Sequence, residues 1–454
     1  MIHESVSSLS NAKSVDDLVY TAVFSSDAAA KAEARRQIHL RARQAGAVPS
    51  SIYELYQAIG RGEVTRKFTV PAFNIRALTY DVARALFRAA MKHNVGPFIF
   101  EIARSEIGYT EQRPGEYAAC VLGAALAEGY KGPVFIQGDH FQASAKKWAT
   151  EEGKAAEIKA LESLIDEAIA AEFYNIDIDT STLVDLSFPT RDEQQRTNYT
   201  YTAHFTKYIR AREPQGIRVS IGGEIGEVGK YNTQPDEVRA YIDGVRRELG
   251  GDPGMAKISV QTGTSHGGVP MADGSIAEAK IDFDVLRETT RICREEYRVA
   301  GSVQHGASTL PETVFNKFPE SDAVEIHLAT GFQNMILDAE TLPASMKDEI
   351  RRFCFDHCAD ERKDGETDEQ FVYKTRKKAI GPFKRRMWEL DAATKGPIIE
   401  AIEKKFEFLL EKLAVYDTRD LVDRYISTDA ALPEYAAASA ELTAAATVDP
   451  NEGE

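Results

Sequence analysis

At 454 residues, with 43% hydrophobic and 28% charged residues, the chain has the make-up of a globular protein with an extensive core. Its formal net charge of -16 excludes the basic stripe of a nucleic-acid binder but leaves anionic small molecules open, because a bound metal or a local cation can outweigh the global field. Four cysteines are too few for a disulfide framework, no apolar stretch is long enough to span a bilayer, and the polar start with Asp16 and Asp17 lacks the apolar stretch of a signal peptide; the expectation is a cytoplasmic protein that engages neither nucleic acid nor membrane.

Residues 1–64 read as a helical N-terminal extension. The stretch 26–44 is rich in Ala, Arg, Lys and Glu, and Ser50-Ser51-Ile52-Tyr53-Glu54 reads as a cap followed by a short helix. From residue 65 the pattern changes. Eight short β-branched and aromatic runs are expected as strands, at 68–75, 97–103, 133–138, 174–179, 218–224, 256–262, 300–304 and 323–329. Helical patterns alternate with them at 79–93, 115–129, 154–171, 199–212, 235–249, 284–297 and 311–318, with apolar positions three and four apart. The strand runs are nearly continuous in apolar character, as strands buried on both faces should be. An open doubly wound sheet would need a glycine-rich phosphate loop after its first strand, whereas the first run here ends in Phe73-Asn74-Ile75. The fold class predicted is therefore α/β, a (β/α)8 TIM barrel over residues 65–340. A charged helical C-terminal extension follows at 341–427, then an Ala-rich tail at 428–454. Cys354, His357 and Cys358 lie close together but are read as helix residues, because no second ligand pair follows at structural-zinc spacing.

A parallel barrel carries its chemistry at the C-terminal ends of its strands. Four of the nine histidines fall at predicted strand ends: His140, His266, His305 and His327. Three imidazoles plus an open position is a catalytic zinc arrangement, and His140, His266 and His305 are the candidate ligands. The glycines beside them let backbone amides approach an anionic group. Asp139 precedes His140, and a turn at the strand end is expected to bring both side chains to the barrel mouth. A carboxylate there suits proton transfer from a substrate hydroxyl, or alternatively the orienting of a neighbouring histidine.

Seven motifs in order, each at a strand end, now carry a resemblance: Pro71-Ala72-Phe73-Asn74, Gly138-Asp139-His140, Ile178-Asp179-Thr180-Ser181, Gly223-Glu224-Ile225-Gly226, Gly263-Thr264-Ser265-His266-Gly267, His305-Gly306-Ala307-Ser308 and His327-Leu328-Ala329-Thr330. Together they resemble the class II ketose-bisphosphate aldolases, of the fructose- and tagatose-bisphosphate type, over roughly residues 66–340. The resemblance implies a Zn2+ ion, or another divalent metal, on His140, His266 and His305, with Glu224 able to hold it in a retracted position. It implies Asp139 as the general acid/base, and Asn74, Ser181 and His327 as substrate-contacting residues. Gly267, Gly306, Ser308, Ala329 and Thr330 would line a phosphate and monovalent-cation site. The metal would act as a Lewis acid on a ketose carbonyl and stabilise the enediolate left by retro-aldol cleavage to dihydroxyacetone phosphate and an aldehyde. A sugar phosphate substrate and a homo-oligomer follow from the same likeness.

The departures cluster around the substrate. His327 stands where the family usually has Asn, Thr180 where it has Gly, and Glu101 and Ala103 where it has Gln and Ser; Gly268-Val269-Pro270-Met271 carries no basic residue. Glu101 is expected to repel a phosphate, with Arg104 offsetting it, and Lys230 and Tyr231 are expected in a loop that closes on the substrate. Two further readings stay open: a metal-dependent sugar or sugar-acid epimerase or isomerase on the same barrel, and a non-catalytic aldolase partner subunit.

Overall fold

Strands of three to five buried residues cannot satisfy their own edges and must pair along their whole length. In the computed structural model, which describes residues 13–226, 231–252, 254–263 and 281–428, nine strands do so: β1 (Ala47–Pro49), β2 (Val70–Asn74), β3 (Ile99–Ala103), β4 (Gly132–Gln142), β5 (Asn175–Asp179), β6 (Ser220–Glu224), β7 (Lys257–Ser259), β8 (Ser302–Gln304) and β9 (Glu325–Leu328). All pairings are parallel. β2 to β9 close in chain order, with β9 returning to β2, so the chain forms a (β/α)8 barrel. Seven of the eight expected runs contain a barrel strand, and the eighth, 133–138, lies inside the longer β4. β1 is an addition that pairs only with the start of β4, Ala47 opposite Gly132; three residues ending in proline give no periodic signal to read.

The helices that follow the strands match the expected ones closely, for example Thr79–Lys92, Pro114–Glu128 and Pro235–Glu248. One differs. The expected helix at 311–318 is a 3-10 turn at Glu312–Val314 and a single turn at Lys317–Glu320. Pro311 and Pro319 bracket it, and a segment this short cannot offset the cost of helix nucleation.

Neither flanking segment stands apart. Helices Val15–Phe24 and Ala28–Ala45 pack on Pro114–Glu128 so closely that a Cβ on Gly123 would lie 2.4 Å from Val19. Helix Ala392–Lys412 lies against Thr79–Lys92 and Thr330–Leu337, with Phe406 between Phe73 and Phe332, ring centroids 4.8 Å from each. One continuous apolar core runs from Leu18 through the barrel shell to Val422.

The inside of the barrel is ionic. Lys257, Asp177, Glu325, Gln137 and Glu101 project inward and are buried. Lys257 Nζ donates to Gln137 Oε1 (2.8 Å), stands 2.9 Å from Asp177 Oδ2 and also bonds Glu325. The two-residue strand period carries this layer up to the mouth: Gln137 lies two below Asp139, Asp177 two below Asp179, and Glu325 two below His327.

Candidate active site

The pivotal backbone feature is a bulge in β4. The register of β4 on β5 shifts between Gly138 and Phe141, and His140 takes φ 38°, in the left-handed region that non-glycine residues seldom occupy. The Phe141 ring folds back over Gly138, where a Cβ would meet it at 2.5 Å. With one residue absorbed by the bulge, Asp139 and His140 both reach the mouth, as the sequence led us to expect, though the turn falls within β4 and not at its end.

There the His140 and His305 rings lie 4.1 Å apart. Glu224, closing β6, reaches both: its Oε2 is 3.1 Å from His140 Nδ1 and its Oε1 is 3.7 Å from His305 Nδ1. Two donors on one tetrahedral zinc stand about 3.3 Å apart, given bond lengths of about 2 Å, so this spacing suits a shared cation. Asp179 Oδ2, 3.0 Å from His140 Nδ1, fixes that ring, and is itself held by Gln142 Nε2 at 2.6 Å. His266, the third candidate ligand, and Gly267 and Lys230 lie outside the described residues.

Asp139 Oδ1 stands 3.1 Å from His327 Nδ1 and 3.8 Å from His140 Nε2. Burial would push its carboxyl up, but the imidazolium charges of His140 and His327 outweigh that and hold it well below the carboxylate range. Glu224 is likewise held down, against its burial, by His140 and His305. Burial, followed by the neighbouring charges of His140 and His327, pushes His305 down to about 3, which leaves a neutral imidazole suited to a metal. Glu101 goes the other way: burial and the charge of Asp139 push it well above the usual range. It lines the same cleft, and its Oε2 stands 3.2 Å from His327 Nδ1, the nitrogen that Asp139 Oδ1 also meets.

Of the residues expected to contact substrate, Asn74, Gly306, Ser308, His327, Ala329 and Thr330 line this cleft with Asp139, His140 and His305. Thr330 opens helix Thr330–Leu337, and Ser308 Oγ accepts from the Gly331 amide at 3.1 Å, so a helix N-terminus faces the cleft as an anion site would require. Ser181 is placed elsewhere: its hydroxyl donates to Asp179 Oδ1 at 2.7 Å, and it bears on the cleft only through Asp179. Arg104 does not offset Glu101. It is buried against Glu157 and donates to the Gln142 carbonyl at 2.6 Å, pointing outward from the barrel mouth. Among the described residues, the cation lining the cleft is instead Arg76, 2.5 Å from Glu106 Oε1. Tyr231 is exposed, near Glu237. Cys354 and Cys358 sit with Phe371 in a small apolar cluster, apart from the barrel mouth.

The sequence reading passed over Asp179, Asp177, Lys257 and Glu325 as working residues. Their signal was a charged side chain inside an otherwise apolar strand, two positions before a mouth residue or at the strand's last position.

A family model described as fructose-bisphosphate aldolase class-II matches residues 59–393. No curated protein matches the chain. Among solved structures, the chain shares its fold with a probable tagatose 6 phosphate kinase from Sinorhizobium meliloti (TM-score 0.52, 14% identity, covering 79% of this chain and 91% of that one). It also shares it with a fructuronate-tagaturonate epimerase from Cohnella laeviribosi (TM-score 0.52, 10% identity, 88% and 86%). A fructose-bisphosphate aldolase from Campylobacter jejuni aligns with TM-score 0.47 at 18% identity, over 82% of this chain and 96% of that one.

Proposed function

Because the chain belongs to the class II fructose-bisphosphate aldolase family, we propose that it is a metal-dependent aldolase that cleaves, or forms, a phosphorylated ketose. The observation that carries this reading is the meeting of Asp139, His140 and His305, whose ligand atoms lie within 4.8 Å of one another, with Glu224 reaching both histidines. His140 and His305, with His266, would hold a divalent cation, and Glu224 would offer it a second position. Such a cation, when bound, polarises the ketose carbonyl.

The rest falls to the chain's own groups. Asp139, its Oδ1 3.1 Å from His327 Nδ1, takes the proton from the hydroxyl on the carbon beyond the scissile bond. The carbon–carbon electron pair stays with the ketone half, the aldehyde departs, and the ketone half is protonated before release. Asn74 Oδ1, buried and without a hydrogen-bond partner among the described residues, would accept a substrate hydroxyl. The amides at the start of Thr330–Leu337 would seat the phosphate.

The test is a panel of ketose mono- and bisphosphates assayed for triose release, with and without a chelator. We expect cleavage that chelation abolishes and divalent metal restores. Asp139→Ala should retain the metal and lose about two orders of magnitude or more in kcat. Full activity in chelated protein, or in Asp139→Ala, would overturn the proposal. One observation favours a second reading. Glu101 and Asp139 are two carboxyl groups lining one cleft, 3.2 and 3.1 Å from His327 Nδ1, a pair that could serve as the acid and base of an epimerase. Incorporation of solvent deuterium into a ketose that stays intact would select it over cleavage.

A further inference from the structure

The ionic layer inside the barrel reaches the mouth through His327. Tyr56, on helix Tyr53–Gly60 ahead of the barrel, sends its hydroxyl in to Glu325 Oε2. Glu325 Oε1 stands 2.7 Å from His327 Nε2, and His327 Nδ1 stands 3.1 Å from Asp139 Oδ1. Lys257 and Gln137 hold the same Glu325 oxygen, Gln137 Nε2 at 3.1 Å. Every residue on this line is buried, and Tyr56 and Glu325 completely so. Both nitrogens of His327 therefore face carboxylate oxygens: Nδ1 also stands 3.2 Å from Glu101 Oε2, and Nε2 stands 3.7 Å from Asp177 Oδ2. The contacts of Asp139 described above all fall on Oδ1.

We propose that Tyr56, Glu325 and His327 are positioning residues that fix the Asp139 carboxylate for proton transfer, so that a helix outside the barrel governs the chemistry at its mouth. This rests on the assignment of Asp139 above. The physical reason is orientation. A carboxylate free to rotate spends little of its time aimed at the substrate hydroxyl, whereas one pinned through a single oxygen leaves the other directed into the cleft. Glu325 acts on His327 as a carboxylate that orients a histidine does elsewhere, by fixing which nitrogens carry hydrogen and the plane of the ring. Lys257 supplies the charge that lets Glu325 stay ionised in the interior, and together with His327 it holds the Glu325 carboxyl below the usual range despite burial. A purely structural ion cluster would not need to extend to the mouth. The two-residue strand period places His327 directly above Glu325, where it does.

Two near-isosteric variants limit the disturbance: Glu325→Gln and Tyr56→Phe. Full-length metal-loaded enzyme would be assayed on whichever ketose phosphate of the panel the wild type turns over fastest. Glu325→Gln should lose about ten- to a hundredfold in kcat, with KM within about twofold and metal content unchanged, and Tyr56→Phe should show a smaller loss of the same kind. The combination Asp139→Asn with Glu325→Gln should be no slower than Asp139→Asn alone, because both act through one group. Losses that multiply, or loss of metal in Glu325→Gln, would overturn the proposal. A second readout needs no turnover. In protein labelled with 15N at histidine ring nitrogens, the His327 resonances should move in Glu325→Gln and Tyr56→Phe. Unmoved resonances refute the relay even if the aldolase assignment stands; moved resonances without any ketose cleavage support the relay and reject that assignment.

Discussion

Asp179 does three jobs with two oxygens: Oδ2 takes His140 and Gln142, and Oδ1 takes the amide and hydroxyl of Ser181. A carboxylate anchored this way holds a histidine ring at a set angle, and partners of that kind are worth about ten- to a hundredfold in metal affinity. Asp179→Asn should therefore keep the fold and weaken divalent-metal binding by about that factor, read by competition with a chromogenic chelator. Unchanged affinity would show that Asp179 serves only the strand end. His305→Ala should go further and leave purified protein with at least about tenfold less metal, measured by elemental analysis.

The β4 bulge is the element on which the mouth depends. Gly138→Ala puts a methyl group into the Phe141 ring, and overpacking of that sort costs about 1–3 kcal/mol. Urea unfolding should show that loss, and Gly138→Ala should cost less in a Phe141→Ala background than in the wild type, since the two changes share one contact. The barrel strands were legible in the sequence because each is a short apolar run bounded by helix patterns, and runs such as 68–75 and 323–329 can be read without knowing what lies beside them. The bulge was not legible, because it depends on the φ of His140 and not on its identity. Nor was the partnership of Asp139 with His327, 188 residues apart, although each was picked out singly. Glu325 was hidden by its neighbours, since Ala323, Val324 and Ile326 made its strand look uniformly apolar.

At the scale of the molecule, the segments on either side of the barrel share its core. Phe406 fills the space between Phe73 and Phe332 and is fully buried, so Phe406→Ala should cost about 3–5 kcal/mol, and a chain ending at residue 340 should fail to give a cooperative thermal transition by circular dichroism. The outer shell is thus built partly from sequence far downstream of the last strand. The charged lumen has a different implication. Enclosed ion clusters are costly to desolvate, and swapping a whole cluster for well-matched aliphatic side chains often raises stability. A re-engineered barrel with a greasy interior in place of Lys257, Asp177 and Glu325 should therefore withstand heat better than the natural one while turning over poorly, so that selection for robustness alone would have erased the very residues that link floor to mouth.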